Sequence, residues 1–129
     1  MSRLNLTQVG RVAVSVADTD RAIDFYVNTL GFEKVVDLPM GPDARWVEVA
    51  VAGAPTTVAL APPPPGKQAG GAETGIILDT TDVDGDHATL RDAGVDVDAE
   101  VSRYGEGIPP MFWLRDPDGN SICIVQPGA

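Results

Sequence analysis

"RVAVSVADTDRAIDFYVNTLGFEKVV", residues 11–36, returns in altered form as "GIILDTTDVDGDHATLRDAGVDVDAEV", residues 75–101. This internal repeat decides the fold. In each copy a strand-like run ends at an aspartate suited to N-capping, Asp18 or Asp82, and a helical segment follows. A glycine, Gly31 or Gly94, closes that helix before the next strand-like run. Ile23, Tyr26, Val27 and Leu30 fall at helical spacing, so the first helix has one apolar face. The second carries a thinner stripe of Val83, Leu90 and Ala93. The chain's sole histidine, His87, stands beside Asp86 and reads as a solvated helix residue.

Each half continues with more strands. "ARWVEVAVA", residues 44–52, alternates like a half-buried strand, and "TTVALA", residues 56–61, returns after a short turn. Val47, Val49 and Val51 are expected on the helix-facing side. In the second half "PMFWLR" runs out, "DPDGN" turns with Pro117 second and Gly119 fourth, and "SICIVQ" comes back. The pattern predicts an α+β fold of two βαβββ modules. One domain spans 1–129, with the first module at 9–61, a Pro/Gly-rich linker at 62–73 and the second module at 74–127. The linker is read as a spacer; a polyproline ligand for another domain is the sharper alternative.

Composition narrows the class. Hydrophobic residues make up 43% and charged residues 22% of 129 residues, the balance of a folded chain with a real core. A formal charge of −10 repels phosphate backbones and anionic lipid, which argues against nucleic acid and membrane partners. The same charge keeps the protein soluble or favours cationic ligands. One cysteine builds neither an intrachain disulfide nor a multi-cysteine zinc site. The opening "MSRLNLTQVG" holds one arginine and no apolar run, so the expected location is the cytoplasm.

The repeat, with "AIDFYVNTLGF" near the start and "RDPDGNSICIVQP" at the end, resembles the vicinal oxygen chelate superfamily, which includes glyoxalase I, extradiol dioxygenases and bleomycin-resistance binding proteins. The resemblance implies modules in pseudo-twofold arrangement whose curled sheets form a trough, commonly completed in a homodimer. In metal-dependent members the first strand of each module gives a histidine or glutamine and the last strand a glutamate. Counting seven residues back from the capping aspartates gives Arg11 and Gly75. Counting four back from the closing prolines gives Val58 and Cys123. One of these slots offers a cation, two offer nothing and one a thiol, whereas a divalent metal needs several converging donors. No bound metal and no other cofactor are therefore expected.

Strand alternation then sorts the trough. Pairing Arg115 with Ser121 sets Trp113 opposite Cys123, with Met111, Val125 and Ser121 on the same face. Trp46 and Glu48 turn inward, as do Arg11, Ala13, Ser15, Ile77 and Asp79. Tyr104, from "SRYGEGIPP", is a candidate lid residue, and Met40, from "DLPMGPDAR", a weaker one. The candidate ligand-binding set is Arg11, Met40, Trp46, Glu48, Asp79, Tyr104, Met111, Trp113, Arg115 and Cys123. Two tryptophans and a methionine suit a flat, partly apolar small molecule, with Glu48 or Asp79 available to a ligand cation. The tryptophans alternatively fill the trough or a dimer seam. The leading functional reading is metal-independent sequestration of an antibiotic-like aromatic molecule by a homodimer. The alternative is a lyase, isomerase or dioxygenase with an atypical site and Glu48 or Asp79 as general base. A third reading is a regulatory subunit with an occluded trough. Cys123, with no histidine near it in the pattern, reads as a plain buried thiol.

Overall fold

The computed structural model describes residues 3–128. Two four-stranded sheets carry the two halves of the repeat. In the first, β1 (Arg11–Ser15), β4 (Thr57–Ala61), β3 (Arg45–Ala50) and β2 (Glu33–Pro39) stand side by side in that order. In the second the order is β5 (Glu73–Asp79), β8 (Ser121–Val125), β7 (Met111–Arg115) and β6 (Asp96–Val97). The first and last strands of each module run parallel, and the other pairings are antiparallel. The molecule is thus α+β, two βαβββ modules, as the repeat predicted. Among the described residues no helix is long and apolar enough to cross a membrane.

The helices begin and end where the sequence marks them. Asp18 Oδ1 accepts from the Arg21 amide at the start of α1 (Thr19–Ile23), and Asp82 Oδ1 does the same for Gly85 at the start of α2 (Val83–Asp92). Gly31 and Gly94 take φ of 80° and 82°, the left-handed closing conformation that a side chain would resist. Helix α1 does not stay regular. Over Asp24–Thr29 it widens into a π-helical stretch, with the Leu30 amide donating to the Phe25 carbonyl at 3.0 Å. Phe25 and Tyr26, both within this stretch, enter the core together.

Both sheets turn their helix-facing rows toward one shared interior. Val14, Val47, Val49, Val58 and Leu60 of the first sheet join Phe112, Leu114, Ile122 and Ile124 of the second, with α1 and α2 contributing Ala22, Phe25, Tyr26, Val83 and Leu90. Phe112 is fully buried, and truncating it to alanine would cost about 3–5 kcal/mol. Val51 does not complete the expected valine row, because β3 ends at Ala50 and the chain turns there, leaving Val51 48% exposed. His87 is the larger correction. It is 6% exposed, meets the Phe112 ring edge-on at 5.0 Å, and donates from Nε2 to the Asp98 carbonyl at 2.6 Å. Val83, His87 and Leu90 follow i, i+4, i+7 spacing, so the imidazole belongs to the buried stripe.

The two modules are joined by the β7–β8 turn. Asp116 and Asn120 exchange hydrogen bonds across a tight turn closed by Gly119, whose φ is 79°. From that turn Asp116 Oδ2 accepts from the Tyr26 hydroxyl at 2.8 Å, and Asn120 Nδ2 donates to the Ser15 carbonyl at 2.9 Å. Asp118 Oδ1 accepts from the Ala17 amide and the Arg21 guanidinium. The incoming linker is stitched to the same place through Gly71 N to Asp118 O and Ala72 N to Asn120 Oδ1. A Cβ at Gly70 would strike the Asp118 carbonyl, so the close approach requires glycine. Burial and the Asp116 carboxylate push the Tyr26 phenol far above its ordinary range, keeping it a donor.

Candidate functional site

Because both sheets turn one side to a common core, their other sides face away from it. On the first sheet the register Val36, Glu48, Ala59 and Ala13 runs across the middle of that outer face. Arg11 and Ser15 flank Ala13 along β1, Thr57 and Ala61 flank Ala59 along β4, and Trp46 lies two residues from Glu48 on β3. Glu48 is 6% exposed although it stands on the open side, because its neighbours close over it. Thr57 Oγ1 donates to its Oε1 at 2.6 Å and Trp46 Nε1 to its Oε2 at 2.7 Å. Arg11 Nε makes an ion pair with the same Oε2 at 3.4 Å. The hydroxyl and indole donors, helped by the Arg11 charge, hold the Glu48 carboxyl below its ordinary range against the opposing effect of burial. A carboxylate held ionised and spoken for on both oxygens is poorly suited to be a general base.

On the second sheet the corresponding line is Ile77, Cys123 and Trp113. Arg115 pairs with Ser121 and Met111 with Val125, as the hairpin reading required. Trp113, Cys123, Ile77, Gly75 and Ser121 line a recess of about 290 Å³ on this face. Cys123 is 4% exposed, and burial, with a smaller contribution from the Asp98 charge, pushes its thiol up from the ordinary value. The group is a neutral apolar filler.

The remaining candidates are scattered. Asp79 is exposed on β5 and lines a different cavity, of about 240 Å³, between α1, α2 and the ends of β5 and β8. Arg115 is drawn to Asp98 at 2.9 Å and Asp96 at 3.8 Å. Met40, 43% exposed, stands at the tip of the β2–β3 hairpin, and Tyr104, 61% exposed, in the loop before β7; neither lines the Trp113 recess. Trp46 and Trp113 themselves lie on the outer faces of separate sheets, and among the described residues no strand of one sheet pairs with a strand of the other. A single chain therefore presents two open half-walls.

Comparison with known proteins fits this architecture. The family model described as the Glyoxalase/Bleomycin resistance protein/Dioxygenase superfamily matches residues 8–124. The chain belongs to that superfamily. TnmS3, an antibiotic binding protein from Streptomyces sp. CB03234, is 36% identical with a TM-score of 0.83, over 98% of this chain and 100% of that one. A superfamily member from Sphaerobacter thermophilus DSM 20745 is 40% identical with a TM-score of 0.85, over 94% and 98%. The uncharacterised protein YetH of Bacillus subtilis (strain 168) is 33% identical over 121 residues, 94% of this chain and 99% of YetH.

The superfamily's metal ligands can now be sought by register. Arg11, Gly75 and Cys123 lie on the outer faces, but Val58 does not. It is 7% exposed and pairs with Val12 and Val49 on the core side, so the outer-face counterpart of Cys123 is Ala59, opposite Ala13 as Cys123 is opposite Ile77. Counting back from proline erred by one residue, and one residue reverses a strand's faces. The corrected set, Arg11, Ala59, Gly75 and Cys123, pairs a guanidinium and a protonated thiol with two side chains that have no donor. Such a set does not fit a divalent ion. Among the described residues no group of three or more His, Cys, Asp or Glu side chains converges to offer another. Sequence reasoning missed Thr57, although its alternation with Ala59 was readable, and it missed the joining role of Asp116, Asp118 and Asn120, which no local pattern announces.

Proposed function

We propose that this protein binds and sequesters a small, partly aromatic molecule without a metal, as a homodimer in which the outer face bearing Trp46 and Glu48 in one copy opposes the face bearing Trp113 and Cys123 in the other. The observation that carries the reading is the pair of half-walls. Each offers an aromatic or apolar surface with few polar groups, and neither has the donors for a chelated metal. Association is supported by what the faces leave open. Leu38 beside Trp46 is 60% exposed and Ile77 beside Cys123 is 62% exposed. Strands β1 and β5 also stand at the edges of their sheets. The likeness to TnmS3, described as an antibiotic binding protein, supports an antibiotic-like guest.

The test is a quenching titration of tryptophan fluorescence with a panel of aromatic antibiotics, before and after chelator treatment. A guest should bind with unchanged affinity after chelation, and Trp46→Ala or Trp113→Ala should weaken it about tenfold. Binding that neither substitution affects would refute the reading.

A further inference from the structure

Resting on that sequestration reading, we infer that the first sheet's outer face selects flat aromatic guests that end in an anionic oxygen, a carboxylate or ionised phenol, gripped by Arg11. The acidic composition suggests the opposite preference, for a cation, and Glu48 is the residue that would supply it. It is already engaged on both oxygens: Oε1 takes Thr57 Oγ1, and Oε2 takes Trp46 Nε1 and faces Arg11 Nε, whose charge offsets its own. A guest ammonium would have to reach a carboxylate that is only 6% exposed and already accepts hydrogen bonds of 2.6 and 2.7 Å.

The unspent groups on this face are donors. The Arg11 side chain is 59% exposed, and its terminal nitrogens have no partner among the described residues. Glu48 fixes the guanidinium by its inner nitrogen, leaving the outer fork free to meet two oxygens at once. Four residues along the same strand face, the buried Ser15 Oγ has no hydrogen-bond partner. At strand rise those two positions lie about 13 Å apart, roughly the length of a substituted two- or three-ring system. The floor between them is Ala13, with Ala59 and Ala61 alongside, low and without polar atoms. A flat ring system rests there beside Trp46, with its acidic end at Arg11. The formal charge of −10 opposes an anion at long range. Screening over about 8 Å at physiological salt confines that effect to the approach and leaves the contact with Arg11 to decide affinity.

Calorimetric titration with three matched probes tests the inference: 2-naphthoate, 2-naphthylmethylammonium and 2-naphthalenemethanol, against wild type, Arg11→Met, Arg11→Lys and Trp113→Ala, each verified as folded by circular dichroism. Naphthoate should bind tightest, by about tenfold over the ammonium probe. Arg11→Met should remove that advantage without altering the alcohol, and Arg11→Lys should retain part of it. Trp113→Ala should weaken all three. An ammonium probe that binds as tightly as naphthoate, or naphthoate affinity indifferent to Arg11→Met, would overturn the anion preference, while a Trp113→Ala effect in the same experiment would leave sequestration standing. Failure of all three probes to bind would count against both.

Discussion

The central line of the first sheet's outer face reads Ala13, Ala59 and Glu48; the same line on the second reads Ile77, Cys123 and Trp113. The backbone pairing is the same and the chemistry has diverged. The first face has a low alanine floor around a carboxylate fixed by Trp46, Thr57 and Arg11. The second has a recess centred on an indole, an aliphatic chain and a neutral thiol, with Glu73, Thr74 and Ser121 at its side. Where the superfamily resemblance implies matching ligands from both halves around one ion, this chain has a hydrogen-bonded carboxylate at the centre of one face and a thiol beside an indole at the centre of the other. The two modules share their strand order and pairing while their outer surfaces carry different chemistry.

The comparison holds only while the β7–β8 turn keeps both modules on one core, and removing Asp116 is the strongest way to break it. Asp116 is 5% exposed and accepts from Tyr26, Asn120 and the amides of Asp118 and Asn120. Asp116→Ala strands several buried donors at about 1–3 kcal/mol each, so a loss of at least about 3 kcal/mol is expected in urea unfolding. Trp46 and Trp113 should be released in one transition. Separate transitions for the two tryptophans would mean that the modules fold independently.

That turn also marks how far the sequence could be read. "DPDGN" fixed the hairpin register, and with it the pairing of Trp113 with Cys123, because turn type and side-chain alternation are local properties. The caps at Asp18 and Asp82 were legible for the same reason. The burial of His87 is encoded in its spacing from Val83 and Leu90, although an imidazole beside Asp86 has the residue type of a solvated position. Distance from a proline beyond the strand end does not set which face a residue takes, whereas pairing does, and pairing puts Ala59 and not Val58 in the place of Cys123. Whether the modules meet through their helix-facing sides or their edges is set by long-range contacts such as Tyr26 to Asp116, separated by 90 residues. No periodicity encodes that choice, so the sequence leaves open whether a trough closes within one chain or between two.

A smaller effect sharpens the contrast between the faces. Glu48→Ala leaves Trp46 Nε1 without its acceptor and Arg11 without its anchor, at an expected cost of about 1–3 kcal/mol together with a shift in Trp46 emission. Trp113→Ala, at the corresponding place on the second sheet, should weaken guest binding and leave Trp46 emission unchanged. Coupled emission changes would show the two faces to be one network.

The pH response should be confined to the first face. The Glu48 carboxyl is lowered in the folded chain, so its contribution is fully present at neutral pH and above its unfolded value. It is lost only as pH falls through the lower folded value, beneath the ordinary 4.5. In a Trp113→Phe background, Trp46 emission should hold steady to about pH 4.5 and change below it. A midpoint above that would place Glu48 in an environment that raises its pKa. Least in magnitude, the Cys123 thiol should resist iodoacetamide at pH 8 and react rapidly once the chain is unfolded in urea, since burial lifts its pKa beyond the ordinary 9.0. Fast alkylation of folded protein would contradict the neutral-filler assignment.

Native mass spectrometry of the protein taken directly from its source tests the central claim most directly, because mass reports chain number, guest and metal together. The expected species is two chains with a small organic guest and no metal. A first-row transition metal retained at one per chain would contradict the account.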